Sequence, residues 1–335
     1  MRLKKDSSEQ KLRGAYYTPL QLANAMVSLV VSQNINNVLE PSCGDGVFLD
    51  SLASLNFIND IPDVTAVEIE PDEAEKVRNN YKENANVHVL NEDFLDFYQQ
   101  VYGKQTYDLI LGNPPYIRYQ YLTEKQRDIQ SRILTSHGMK SNKLINAWVA
   151  FLVACVQLLS ENGKIAFVIP EEILQVVYAE DLRLFLSNQL SKITLLTFEQ
   201  LVFPDIEQEI LVFIGEKGKK EKGIRIIELS NLEDFRKLDL NSNGFQKLKH
   251  VKEKWTKYFV SAEEIKVIQS IRDDKRFTKF ADLALINVGI TTGNNTYFSV
   301  DKTPNERYDL TSVTLPLIGR SSHAHGIYST DKDWQ

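Results

Sequence analysis

The chain has 335 residues, enough for about two domains at roughly 150 residues each. Its 43% hydrophobic content and net charge of −6 are those of an ordinary globular protein and exclude a disordered, fibrous or bilayer-filling chain. Met1 to Gly14 holds no apolar signal core, the longest apolar run (Ala147 to Leu159) is interrupted by Gln157, and Cys43 and Cys155 have no metal or disulfide spacing. A cytoplasmic, reduced protein without a membrane partner or a bound metal is expected.

Short apolar runs alternate with amphipathic stretches over the first two-thirds. The expected strands are 37–40, 64–69, 87–90, 107–111, 164–169, 193–198 and 210–214, and the expected helices are 20–33, 48–55, 72–83, 144–159 and 179–190. Strand–helix alternation implies an α/β fold with a parallel sheet covered on both faces. Only a loop with Pro204 and Asp205 joins the sixth strand to the seventh, so the seventh is expected to run antiparallel. After Gly215 the pattern changes. The charged run Lys217 to Lys222 reads as a turn or linker, giving a first domain over 1–220, a transition over 221–244 and a second region over 245–335.

Charge is uneven. Glu216 to Lys279 carries 17 Lys/Arg and 11 Asp/Glu, a net of +6, leaving −12 elsewhere. Such a segment can bind phosphates within an acidic protein. It can equally be a solvated face, with Lys247, Lys249, Lys252, Lys254 and Lys257.

Val38 to Leu49 reads as a strand, a tight turn and a helix start, with Gly44 and Gly46 letting backbone approach a ligand. A structural βα turn has the same appearance. Glu68 ends the second strand, where a carboxylate can accept both hydroxyls of a ribose; Glu70 competes for that role. Asp93 suits an adenine amino group with Phe94 packed on the ring, or a helix N-cap for 94–101. Asn113-Pro114-Pro115-Tyr116 follows the apolar run 107–112. Two prolines remove two donors and fix two φ angles, so the segment forms a stiff ledge at a strand's carboxyl end, where open α/β sheets bind ligands. The Asn amide, free carbonyls and Tyr ring can grip a planar amino group.

In this order the motifs resemble the S-adenosylmethionine-dependent DNA adenine-N6 methyltransferases of restriction–modification systems, in the TaqI-like gamma group. The resemblance rests on 14–19, 40–46, 67–70, 92–94, 113–116, 147–151, 163–170 and 202–204 and covers about residues 14–215. It implies a seven-stranded Rossmann-like methyltransferase sheet with an antiparallel last strand, S-adenosyl-L-methionine as cofactor, and double-stranded DNA as partner. A cognate restriction endonuclease or specificity subunit is a further partner it admits.

By that resemblance Tyr17, Thr18, Glu40, Pro41, Cys43, Gly44, Asp45, Gly46, Glu68, Ile69, Asp93, Phe94 and Asn113 surround the cofactor. Asn113, Pro114, Pro115 and Tyr116 are the catalytic set, with Tyr116 and Phe203 stacking on a flipped adenine. Residues 288–295 resemble a turn of the recognition regions in these enzymes, so the tail is expected to be a partial or short DNA-recognition region. His323 and His325 lack partners at metal spacing, and Arg320 is either a DNA contact or structural. Two alternatives remain. One is an amino-group methyltransferase acting on RNA or protein glutamine, and the other is a non-catalytic DNA-specificity subunit.

Overall fold

The computed structural model describes residues 18–315 and 317, apart from 33, 142, 200–208, 219–220, 236, 241–243, 249–252 and 286–293. The expected residues Tyr17, Phe203, Arg320, His323 and His325, and most of the 288–295 turn, lie outside the described residues.

One sheet organises the chain. Its strands are β1 (Asn37–Glu40), β2 (Asp63–Glu68), β3 (Val87–Asn91), β4 (Tyr107–Gly112), β5 (Leu159–Pro170), β6 (Lys192–Phe198), β7 (Ile210–Glu216), β8 (Gly223–Leu229) and β9 (Gln246–Lys247), in the order 3-2-1-4-5-7-6-8-9. β1 to β5 pair in parallel, and β7 runs antiparallel between β5 and β6. The seven expected strands are therefore all present, with the seventh reversed. Parallel pairing requires crossovers, supplied by α1 (Leu20–Val30), α2 (Val47–Ser54), α3 (Pro71–Asn80), α4 (Phe94–Val101), α5 (Glu124–Ser136), α6 (Ala147–Leu158) and α7 (Glu180–Gln189), with α1 leading into β1. α6 is apolar on all sides and buried almost throughout, packed against α4, α5, α7 and β5.

Two features differ from the sequence expectation. First, the sheet does not end at β7. β8 pairs in parallel with β6 from Lys192↔Gly223 to Phe198↔Leu229, and β9 adds a short antiparallel edge. The expected transition over 221–244 therefore holds a strand of the main sheet. The charged run before it is fastened down: Lys217 Nζ donates to Leu159 O at 3.0 Å, and Lys222 Nζ to Ser187 O at 2.9 Å and Asn188 O at 2.8 Å. Arg225 donates to Thr194 Oγ1 at 3.0 Å and Leu240 O at 2.9 Å, with Phe245 over its guanidinium. These basic residues complete the fold and are withdrawn from any phosphate surface. Second, α5 was not expected. Thr123 and Gln126 form a reciprocal capping box at its start, which the sequence carries as T-x-x-Q.

The chain divides into two compact units, Met1–Ile268 and Gln269–Gln335. The second contains short helices at Phe280–Leu283 and Lys302–Arg307. No described residue beyond Tyr258 is buried.

Arg183 on α7 is 1% exposed and donates to Ile173 O, Val176 O and Glu253 O at 2.9–3.1 Å. Arg183→Leu leaves three carbonyls without this donor and should lower unfolding free energy by about 3 kcal/mol. An unchanged urea midpoint would contradict that role.

Candidate active site

The chain reverses direction across the sheet at β1 and β4, which are neighbours through Val38↔Leu109 and Leu39↔Ile110. This is the switch point at which α/β sheets bind ligands. Both strands end in proline-containing segments, Pro41 after β1 and Pro114-Pro115 after β4. The two loops touch. Ser42 Oγ donates to Asn113 O at 3.3 Å. Gly112 makes this approach possible, because a Cβ there would lie 3.3 Å from both the Pro41 and Phe167 side chains.

The loop after β1 is held by β2. Cys43 N donates to Val67 O at 2.9 Å, and Gly44 N to Glu68 Oε2 at 2.7 Å. Glu68 Oε1 accepts the Glu70 N–H at 2.8 Å. Gly44 and Gly46 both have positive φ, and Gly46 starts α2 with Val77 packed 3.1 Å from where its Cβ would be. The sequence reading gave Glu68 to a ribose alone. In the structure each of its oxygens already holds a backbone N–H, so Glu68 shapes the loop, with remaining lone pairs open to a ligand. Asn91 Nδ2 joins the third loop by donating to Glu68 O and Ile69 O.

Negative charge is concentrated here. Glu40 and Glu68 are buried, and Asp45 is half-buried. Burial, reinforced by Asp45, Glu68 and Asp50, pushes the Glu40 carboxyl well above its ordinary range. Burial also raises Asp45, against a lowering by Lys76, and raises Glu68 despite the N–H bonds from Glu70 and Gly44. Among the described residues no lysine or arginine forms an ion pair with Glu40, Asp45 or Glu68. Thr18, before α1, has a buried hydroxyl with no hydrogen-bond partner among the described residues, and Ile69 is 50% exposed. An acidic loop beside an open apolar side chain suits a cationic ligand with an apolar part. Burial raises the Cys43 thiol as well, which removes it as a nucleophile.

Asp93 takes up the N-cap role. It is the N-cap of α4, with Oδ1 accepting Leu95 N at 2.8 Å. Its Oδ2 accepts Gln126 Nε2 at 2.7 Å. Phe94 is buried with its ring centroid 4.7 Å from that of Phe151, so both belong to the core beside the site.

On the ledge, Asn113 and Pro115 are half-buried and Pro114 and Tyr116 are buried. The Tyr116 hydroxyl donates to Val168 O of β5 at 3.1 Å, which anchors the ring that the sequence reading assigned to stacking. The structure thus groups Glu40, Pro41, Cys43, Gly44, Asp45, Gly46, Glu68 and Ile69 with Asn113 around one sheet edge, and Asp93 ends the third loop there. Ser42 and Gln126 were missed as site residues. Among the described residues no group of three or more His, Cys, Asp or Glu can hold a metal ion. No described helix is long and apolar enough to cross a membrane.

A family described as "Eco57I restriction-modification methylase" matches residues 21–203, and "Type II methyltransferase M.Eco57I, C-terminal domain" matches 252–335. The chain is 28% identical over 313 residues to the type II methyltransferase M.HindII of Haemophilus influenzae, covering 88% of this chain and 57% of that protein. Over this and two further type II methyltransferases, the chain spans 44–59% of the relative's own length. It is also 29% identical over 143 residues to a tRNA1(Val) (adenine(37)-N6)-methyltransferase of Haemophilus influenzae, covering 42% of this chain and 56% of that protein. A DrdV–DNA complex shares the fold, with a TM-score of 0.61 and 15% identity over 77% of this chain and 32% of that one.

Removing the buried charge should stabilise the ligand-free protein. The folded state holds a proton on Glu40 above the pH at which the unfolded chain has released it. The resulting stability is present near and below the ordinary glutamate range and is lost as pH rises through the raised value. Glu40→Gln should therefore raise Tm at neutral pH, by about 2–4 °C per kcal/mol regained. Its advantage over wild type should shrink on acidification. Thermal unfolding across pH checks this, and a lower Tm for the variant at neutral pH would refute it.

Proposed function

The chain belongs to the Eco57I restriction-modification methylase family, and on that premise we propose that it transfers a methyl group from S-adenosylmethionine to the N6 amino group of a flipped adenine in double-stranded DNA. In this reading it is the modification component of a restriction–modification system, working in the cytoplasm. The observation that supports the proposal is the hydrogen-bonded contact between the acidic glycine loop and the Asn113 ledge, which in this reading would hold the cofactor next to the target amino group. The naming of adenine N6 for the tRNA-modifying relative supports that atom, and the type II methyltransferases support DNA as the substrate.

The residues fit the cofactor. Its net positive charge matches the carboxylates of Glu40, Asp45 and Glu68; the Thr18 hydroxyl, without a hydrogen-bond partner among the described residues, would offer a hydrogen bond; and exposed Ile69 would offer an apolar wall. Glu68 and Asp93 would contact the ribose and adenine through lone pairs not used by their present donors. S-Adenosylmethionine supplies a sulfonium-bound methyl with a neutral thioether leaving group.

The chain's own part is orientation. The adenine amino group is a weak nucleophile because its lone pair is delocalised into the ring. The Asn113 side-chain oxygen and the Pro114 carbonyl would accept its two hydrogens, turning the lone pair toward the methyl. The second proline keeps this rim rigid. Tyr116, with its hydroxyl tied to Val168 O, gives the base a fixed wall. Phe203 is proposed as the opposite wall, where stacking on a base contributes about 1–3 kcal/mol. With the cofactor bound, the methyl would pass from sulfur to the amino nitrogen held by Asn113 and Pro114, and the amino group would release one proton to solvent.

Asn113→Ala should reduce methyl transfer at least about 100-fold, in line with loss of a positioned group at the reacting atom. Cofactor affinity by isothermal titration should stay within a few fold. Tritium-methyl incorporation into duplex DNA, tRNA and protein checks both the role and the acceptor. Full activity of the variant would remove Asn113 from the mechanism, and incorporation into tRNA alone would replace DNA as substrate.

A further inference from the structure

The segment immediately after the ledge is built more firmly than a connecting loop needs. Ala147 N donates to Ile117 O at 2.9 Å. A 3-10 turn follows at Tyr119–Tyr121, with Arg118 as its N-cap and Tyr121 N donating to Arg118 O at 2.9 Å. Arg127 of α5 then clamps the turn from inside. Its Nε donates to Tyr119 O at 3.1 Å, its Nη2 to Gln120 O at 2.9 Å, and its guanidinium lies 5.1 Å from the Tyr119 ring centroid. The two residues before Arg127 in α5 also anchor this end of the helix: Gln126 donates to Asp93, and Lys125 pairs with Asp96 at 2.6 Å.

What this turn presents outward is an arginine and a tyrosine. Arg118 is the extended residue that leads into the turn and Tyr121 is the turn's last residue, so the two flank one short segment. Arg118 is exposed, and no hydrogen bond holds its guanidinium among the described residues; Tyr121 is 52% exposed. Their neighbours Tyr119 and Leu122 are drawn inward, with Leu122 only 6% exposed. A locked backbone therefore displays a cation and an aromatic ring two and five residues beyond Tyr116.

Resting on the reading of this chain as a DNA methyltransferase, we infer that Arg118 and Tyr121 form a contact for the DNA strand next to the extruded base. Arg118 engages a backbone phosphate. Tyr121 packs its ring against the base or sugar flanking the vacated position. An arginine suits phosphate because its planar guanidinium can donate in a fork. A tyrosine suits any base, since every base has a face to stack on. The contact strengthens binding and keeps the duplex open beside the ledge. It reads no sequence, which leaves recognition to other parts of the protein. The basic residues withdrawn into the fold at Lys217, Lys222 and Arg225 do not serve this purpose.

The test uses the full chain and fluorescence anisotropy with random-sequence duplex DNA across a salt series, alongside tritium-methyl transfer to unmethylated bacterial DNA. Arg118→Ala should reduce the slope of log affinity against log salt by about 0.9, the signature of one lost phosphate contact, and weaken binding about fivefold near physiological salt. Tyr121→Ala should weaken binding about tenfold with the salt slope unchanged, and Tyr121→Phe should restore it. S-Adenosylmethionine affinity by isothermal titration should match wild type in all three variants, which shows that the fold and cofactor site are intact. If wild type binds and methylates DNA while both alanine variants bind with its affinity and slope, the inference is overturned and the functional reading stands. If wild type methylates tRNA or protein but neither binds nor methylates duplex DNA, the functional reading fails and this inference fails with it.

Discussion

The site depends on a carboxylate that holds backbone before it holds anything else. Glu68 ends β2 with one oxygen on the Gly44 N–H and the other on the Glu70 N–H. This fixes the height of the glycine loop above the sheet edge. The loop in turn touches the ledge through Ser42 and Asn113, and Asn91 extends the stitching to the third loop. Three crossovers of a parallel sheet are thereby set in register at their carboxyl ends. The two donors to Glu68 are backbone groups, whereas the links to the ledge and to the third loop depend on the Ser42 and Asn91 side chains.

The same region gathers more negative charge than its surroundings neutralise. Glu40, Asp45 and Glu68 all have carboxyls raised chiefly by burial. A site arranged in this way carries an electrostatic strain that a cationic ligand relieves. Positive charge is handled in the opposite manner. The net-basic segment after Glu216 spends several of its cations on carbonyls and ring faces within the sheet extension. Composition alone therefore overstates how much of that segment's positive charge is left free of the fold. In the proposed reading, the exposed Arg118 after the ledge, on a turn clamped by Arg127, is a phosphate contact.

Much of this was legible in the sequence because periodicity and proline placement are local signals. β1 matches its expected range, and β2, β3, β4 and β6 differ by a residue or so at their ends. β5 begins earlier than expected because Leu159 already pairs with Tyr107, and a register shift separates that pair from the regular ladder that starts at Lys164. β8 fell inside the expected transition, since a charged approach such as Lys217 to Lys222 looks like a linker until its amines are seen on carbonyls. The opposite error occurred at α5, where polar residues conceal a narrow buried face of Ile129, Gln130, Ile133 and Leu134. In the candidate site, the second partners of the expected residues were not readable. Asp93 both caps α4 and accepts from Gln126, a pairing 33 residues apart that no spacing rule anticipates.

The most direct test of the central claim is a crystal structure of the chain with S-adenosylhomocysteine. The account predicts the ligand at the ends of β1 and β2, with its ribose on Glu68 and its sulfur facing the Asn113 ledge. Ligand density at any other sheet edge, or a sulfur turned away from residues 113–116, would contradict it.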